Sequence, residues 1–223
     1  SDPIHSTLIG VFMAGAYKWC NSDRYNLNTL FYHNQKFTEE LGNFLIDRNI
    51  NGIITAMGQL KEKDYEFLKK YNIPIVECEF GFSQKPDKPD RNIVWLDLED
   101  AYRKAVVHLR SIGHERIGFL SYKKGKNQLY DQIISKIIYE QRLPDPDKSI
   151  INIQNPQLNI SWEDVDAFFN LDPLPTAVIT ADEVLTNLIE VGMQKRKLTC
   201  PEDLSMVAIQ DLIPLQRVTP LTN

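Results

Sequence analysis

The chain of 223 residues is 43% hydrophobic and 25% charged, enough apolar material for a real core in one or two domains. A net charge of -5 argues against these residues gripping a nucleic acid backbone, which needs a basic face, and leaves room for a basic domain elsewhere in the full protein. Cys20, Cys78 and Cys200 are far apart and show no CxxC spacing, so neither zinc nor a disulfide framework is expected, and a reducing cytoplasm fits. No apolar run approaches the ~20 residues that span a bilayer, and no signal peptide is visible.

The first half alternates strand and helix signals. Leu8–Met13 reads as a short apolar strand, Leu27–Tyr32 as a second, Gly52–Ala56 as a third and Ile73–Cys78 as a fourth. Between the second and third, Lys36–Arg48 puts Phe37, Leu41, Phe44 and Leu45 on one helical face. Glu62–Lys70 is a polar helix with Tyr65 and Leu68 inward. Phe80–Arg91, with Pro86, Pro89 and several charges, reads as a surface loop and crossover. The space from Ala14 to Asn26 is short for a crossover helix between parallel strands and reads as an incomplete connection.

A second set follows. Leu98, Ala101, Ala105, Val106 and Leu109 form a helical stripe, with Asp97 or Asp100 to cap its start and Gly113 its end. Arg116–Leu120 is a strand, Leu129–Tyr139 a helix, Ile150–Ile153 a strand and Trp162–Phe169 a helix. Thr176–Thr180 is a β-branched apolar strand, and Ala181-Asp182-Glu183 a polar break. Leu185, Leu188, Ile189 and Gly192 recur at helical spacing, and Lys195, Arg196 and Lys197 close that helix where cations suit the macrodipole. Leu204–Ile209 is a further strand, ending at Gln210-Asp211. The alternation predicts an α/β protein of two Rossmann-like lobes with parallel sheets. It also puts the two polar turns at one sheet edge, where open α/β sheets bind small ligands.

Several segments together resemble the effector-binding region of LacI/GalR transcription factors, a periplasmic-binding-protein-like fold of type I. They are LIGVF, NINGIITA, YNIPIVE, VWLDLEDAYRKAVVHLRSIGHERIGFL, PTAVITADE, CPEDLSMVAIQD and VTPLT, in that order. The resemblance implies an N-terminal lobe of residues 1–97 plus 213–223 and a C-terminal lobe of residues 98–212. It implies a helix-turn-helix headpiece ahead of residue 1; a GntR-type winged helix on a similar effector domain fits as well.

The same resemblance implies a small effector, a sugar or sugar-like metabolite, held between the lobes. Such a site needs directional polar groups and an aromatic or apolar platform. Tyr17, in the loop after the opening strand, supplies a ring to stack on a sugar face. Glu79 falls where relatives carry an acidic contact. Asp182 occupies a turn that usually reads Asn-Asp, and also suits a helix N-cap. Gln210 stands in place of a ligand-binding Asp. Tyr130 stands where relatives carry an Arg, and Lys126 is the nearest cation, a turn away. The rest of the Lys123–Lys126 run reads as a solvated turn.

No catalysis, cofactor or metal is expected. His114 follows a helix-ending Gly and resembles a structural position, and no phosphate-binding loop or nucleophile elbow is present. The expected role is the sensing and dimerising domain of a cytoplasmic bacterial regulator, a homodimer that answers to an effector and binds operator DNA through its headpiece. The alternative is a periplasmic solute-binding protein of a sugar transporter, which shares the fold.

Overall fold

The computed structural model describes residues 3–22, 25–30, 42, 44–45, 49–56, 60–79, 89–123, 129–144, 149–154 and 162–209. The chain divides into two compact units, Ser1–Leu96 and Asp97–Asn223. Residues 213–223, expected to return to the first lobe, lie outside the described residues.

Unit 1 holds α1 (Pro3–Ser22), β1 (Ile53–Ala56), α2 (Glu62–Lys69), β2 (Ile75–Glu79) and β3 (Asn92–Trp95). The three strands form a parallel sheet in the order β1-β2-β3. Ile53 is level with Ile75, and Val76 with Asn92. Leu60, Tyr65, Leu68 and Ile75 are buried together with Leu45, and Ile50, Ile53, Phe67 and Ile73 pack around them. Tyr65 and Leu68 thus face inward as their spacing predicts. Asn72 ends the turn after α2 in the left-handed region (φ 54°), which Asn tolerates better than most residues.

Three expectations for unit 1 are corrected. Leu8–Met13 is not a strand but the middle of α1. A short apolar run cannot be assigned by periodicity alone; here Ile9, Phe12, Met13, Ala16 and Cys20 form the less exposed stripe, a helical repeat, and Pro3 suits a first turn. The supposed short crossover after that strand therefore disappears. Residues 25–30 carry no regular structure, and Leu27 and Leu30 are exposed. Strand propensity without a paired neighbour is too weak to build a strand. Asn92–Trp95, not among the expected strands, is β3, and Arg91 just before it is buried rather than part of a surface loop. Of the helix expected over Lys36–Arg48, only Gly42, Phe44 and Leu45 are described, all helical.

Unit 2 holds α3 (Leu98–Ser111), β4 (Ile117–Lys123), α4 (Leu129–Glu140), β5 (Ile150–Gln154), α5 (Trp162–Phe169), β6 (Ala177–Thr180), α6 (Glu183–Arg196) and β7 (Ser205–Ala208). Its parallel sheet runs β5-β4-β6-β7. Crossovers between parallel strands are right-handed. The chain leaves β4 to one side through α4 and returns past it through α5, so α4 lies on one face and α5 and α6 on the other. Accordingly α3 packs on α4, and α5 on α6.

Close approach explains two glycines. A Cβ on Gly118 of β4 would lie 2.7 Å from Phe168 Cε2, and one on Gly192 of α6 would lie 2.4 Å from Phe169 Cε2. α3 begins at an Asp97 cap, whose carboxylate accepts from the Asp100 amide at 3.0 Å, and ends before Gly113 at φ 99°.

Candidate functional site

In unit 2 the strand order reverses between β4 and β6: the chain leaves β4 toward β5 and β6 toward β7. The carboxyl ends of these two neighbours flank the crevice at which open α/β sheets take ligands. β4 contributes Ser121, which is fully buried; β6 leads into Ala181-Asp182-Glu183 and α6. The two ends are tied by the Ala181 amide donating to the Leu120 carbonyl at 3.2 Å.

The Asp182 backbone is extended (φ -155°, ψ 178°), and its carboxylate accepts from the Leu185 amide at 3.0 Å. Its carbonyl accepts from the Thr186 amide at 3.0 Å and the Thr186 hydroxyl at 2.8 Å. Thr186 and Thr180 hydroxyls meet at 2.5 Å, binding α6 to β6. The turn is therefore over-determined. Asp182 and Glu183 are 4% and 5% exposed, so two adjacent carboxyl groups are withdrawn from bulk water. Among the described residues, Ser121 Oγ and Glu183 Oε2 are buried without a hydrogen-bond partner. Such orphans are rare and mark a place where a further polar group would be satisfied. Burial pushes the fully buried Tyr102 phenol of α3 well above the usual tyrosine range, and the nearby Asp182 charge adds to the shift.

The sequence-derived candidates divide between the units. Tyr17 lies on α1 with 64% of its surface exposed, not in a loop after a strand, because the segment it follows is helical. Glu79 is the last residue of β2, level with Trp95. In unit 2, Tyr130 is in the first turn of α4 and Asp182 caps α6, so both stand at the carboxyl edge of adjacent strands. Lys126 and Gln210 lie outside the described residues. Ser121 and Tyr102 are the residues the sequence reading passed over, and Glu183 was read there only as part of the polar break. A lone serine in the apolar strand IGFLSYK, and Tyr102 midway between Leu98 and Val106 on the inward stripe, were the available signals.

The opposite edge of the sheet carries His114, whose Nδ1 lies 2.9 Å from Thr176 Oγ1. Burial holds its imidazole below the usual histidine range. It joins the start of β4 to the start of β6, a structural role. Among the described residues there is no group of three or more metal-binding side chains, and no helix is long and apolar enough to cross a membrane.

Comparison with known proteins agrees with this architecture. Catabolite control protein A of Priestia megaterium is 27% identical over 184 residues, covering 80% of this chain and 53% of its own length. The HTH-type transcriptional repressor PurR of Glaesserella parasuis is 23% identical over 201 residues, covering 87% and 57%. The chain thus spans about half the length of the curated relatives it matches. A LacI family transcriptional regulator from Enterococcus faecium, solved with bound ribose, superposes with a TM-score of 0.64 at 17% identity, covering 93% of this chain and 75% of that one. The periplasmic binding protein-like domain family matches residues 106–223, more than half of the sequence. With the doubly wound parallel sheet of unit 2 in that segment, the chain belongs to the periplasmic binding protein-like domain family.

Proposed function

We propose that this chain is the ligand-sensing domain of a bacterial transcription regulator and catalyses no reaction. The observation that carries the reading is the Ala181-Asp182-Glu183 turn. It stands at the strand-order reversal of a regulator-type fold with one buried unsatisfied atom of its own, Glu183 Oε2, and a second, Ser121 Oγ, on the neighbouring β4. A carboxylate accepts paired hydrogen bonds, as sugar hydroxyls offer them, and Ser121 both donates and accepts. The regulator from Enterococcus faecium holds ribose. A sugar or sugar-like metabolite suits the present edge, with Asp182 and Tyr130 as its contacts there.

The mechanism is a population shift. An effector that binds one conformation of the chain better than another favours that conformation. In a homodimer carrying DNA-reading headpieces this changes operator affinity, by coupling of typically 1–3 kcal/mol. The relatives reported above are transcription regulators, which favours this reading over a transporter's binding protein.

A thermal-shift screen of sugars, sugar acids and nucleobases identifies the effector, and calorimetry with Asp182→Asn then tests the site. Asn keeps the helix cap but loses the charge. Affinity falls at least about tenfold, the ~1.4 kcal/mol of one lost charge-assisted bond. Unchanged affinity would move the site away from this turn. Light scattering of the protein with its headpiece reads the dimer, and a monomer there would count against regulation through paired operator half-sites.

A further inference from the structure

Unit 1 buries an ion pair on the α2 face of its sheet. The side chains of Glu77, the middle residue of β2, and Arg91, just before β3, are each 1% exposed and meet at 3.1 Å. Both converge on the backbone of one residue. The Leu60 amide donates to Glu77 Oε2 at 2.8 Å, and Arg91 Nη1 donates to the Leu60 carbonyl at 3.0 Å. Arg91 Nη2 also donates to Glu62 Oε2 at 2.6 Å, and the guanidinium carbon lies 4.1 Å from the Tyr65 ring centre. The Tyr65 hydroxyl donates to the Asp90 carbonyl at 3.1 Å.

Burying two charges costs desolvation that their attraction often fails to offset, so such a pair is weak evidence for stabilisation. Its geometry suggests a different task. Lys61 stands at the N-cap of α2 and makes no side-chain cap bond, unlike Asp97 and Asp182 at α3 and α6. The entry to α2 is fixed instead by side chains reaching across from β2 and the start of β3. That entry follows the carboxyl end of β1.

We propose that Glu77 and Arg91 are positioning residues that clamp the Leu60–Glu62 entry to α2 in one conformation at the carboxyl edge of the unit 1 sheet. The link from this edge to sensing rests on the function proposed above; the clamp does not, and its test uses the ligand-free chain. Amide exchange is followed in the intact protein and in Glu77→Met, Arg91→Met and the double variant. The reporters are the Leu60 amide and those of Asp64 and Tyr65, which donate to the Lys61 carbonyl at 2.9 and 3.0 Å.

In the single variants these amides exchange at least about tenfold faster, while β4, β6 and α6 of unit 2 keep their protection. The double variant leaves neither charge of the pair uncompensated by the other's loss, so its melting temperature recovers toward that of the parent. The three reporters nevertheless stay fast, because both anchors of Leu60 are gone. Should a single variant fail to fold, the double variant decides alone. Slow exchange at Leu60 in the double variant would overturn the proposal, since the pair would then only fill the core. So would a uniform loss of protection across β1, β2 and β3.

Discussion

At the scale of single residues, Asp182 does two things with one carboxylate. It stands at the candidate ligand edge and caps α6 through the Leu185 amide. Asp182→Ala should therefore destabilise the chain by about 1 kcal/mol, because the buried amide loses its acceptor, whereas Asp182→Asn stays close to the parent in urea unfolding. Equal midpoints for the two variants would show that the cap contributes nothing. His114 makes stability depend on pH. Burial favours its neutral form, so its folded pKa lies below the ordinary 6.5, and the unfolded chain binds more protons as the pH falls. Its contribution is complete above about pH 6.5 and is lost as the pH drops below that value toward the folded pKa. His114→Gln should flatten the fall in urea midpoint between about pH 7 and pH 5; an unchanged slope would assign it to other groups.

At the scale of elements, α1 separates hydrophobicity from periodicity. Its run from Leu8 to Met13 suits a strand as well as a helix, and the stripe through Phe12, Ala16 and Cys20 distinguishes them only once burial is known. Gly10 and Gly15 lie on α1 with nothing within 4 Å of an added Cβ. Gly10→Ala and Gly15→Ala should each stabilise the chain, by up to about 1 kcal/mol, and raise the helical circular dichroism signal. A loss of stability in Gly10→Ala would favour the strand. α6 is the opposite case, since Gly192 is where the ring of Phe169 from α5 comes closest. Arg196 then closes that contact, with its guanidinium 4.4 Å from the Phe169 ring and paired to Asp166 at 2.7 Å.

At the scale of the whole molecule, a sensing role means that stability answers to ligand. An effector that binds only the folded chain should raise its stability by about 2.7 kcal/mol at a hundred times its Kd. Titrated melting curves read this directly, and a melting temperature independent of concentration would exclude specific binding. Much of the architecture was legible in advance. The alternation of apolar strands with helical stripes from Gly52 to Ile209 matched what the structure contains, apart from β3. The Ala-Asp-Glu turn was legible too, because a polar break between an apolar strand and an amphipathic helix has few other places to be.

The sequence by itself determined what is local and periodic: which segments after Gly52 are strands and helices, β3 excepted, that Asp182 suits one cap and Asp97 or Asp100 another, and that the chain is an α/β protein. Tertiary structure alone decided what depends on residues far apart. The apolar run at Leu8 became a helix because burial falls on every third or fourth residue. Residues 25–30 remained irregular because backbone needs a partner strand to pair. Glu77 and Arg91 carry no local sign that both will reach Leu60, and nothing near Tyr102 announces the Asp182 charge beside it. Hydrophobic period is written along the chain, but the pairing of buried polar groups is set by which strands and helices the fold brings side by side.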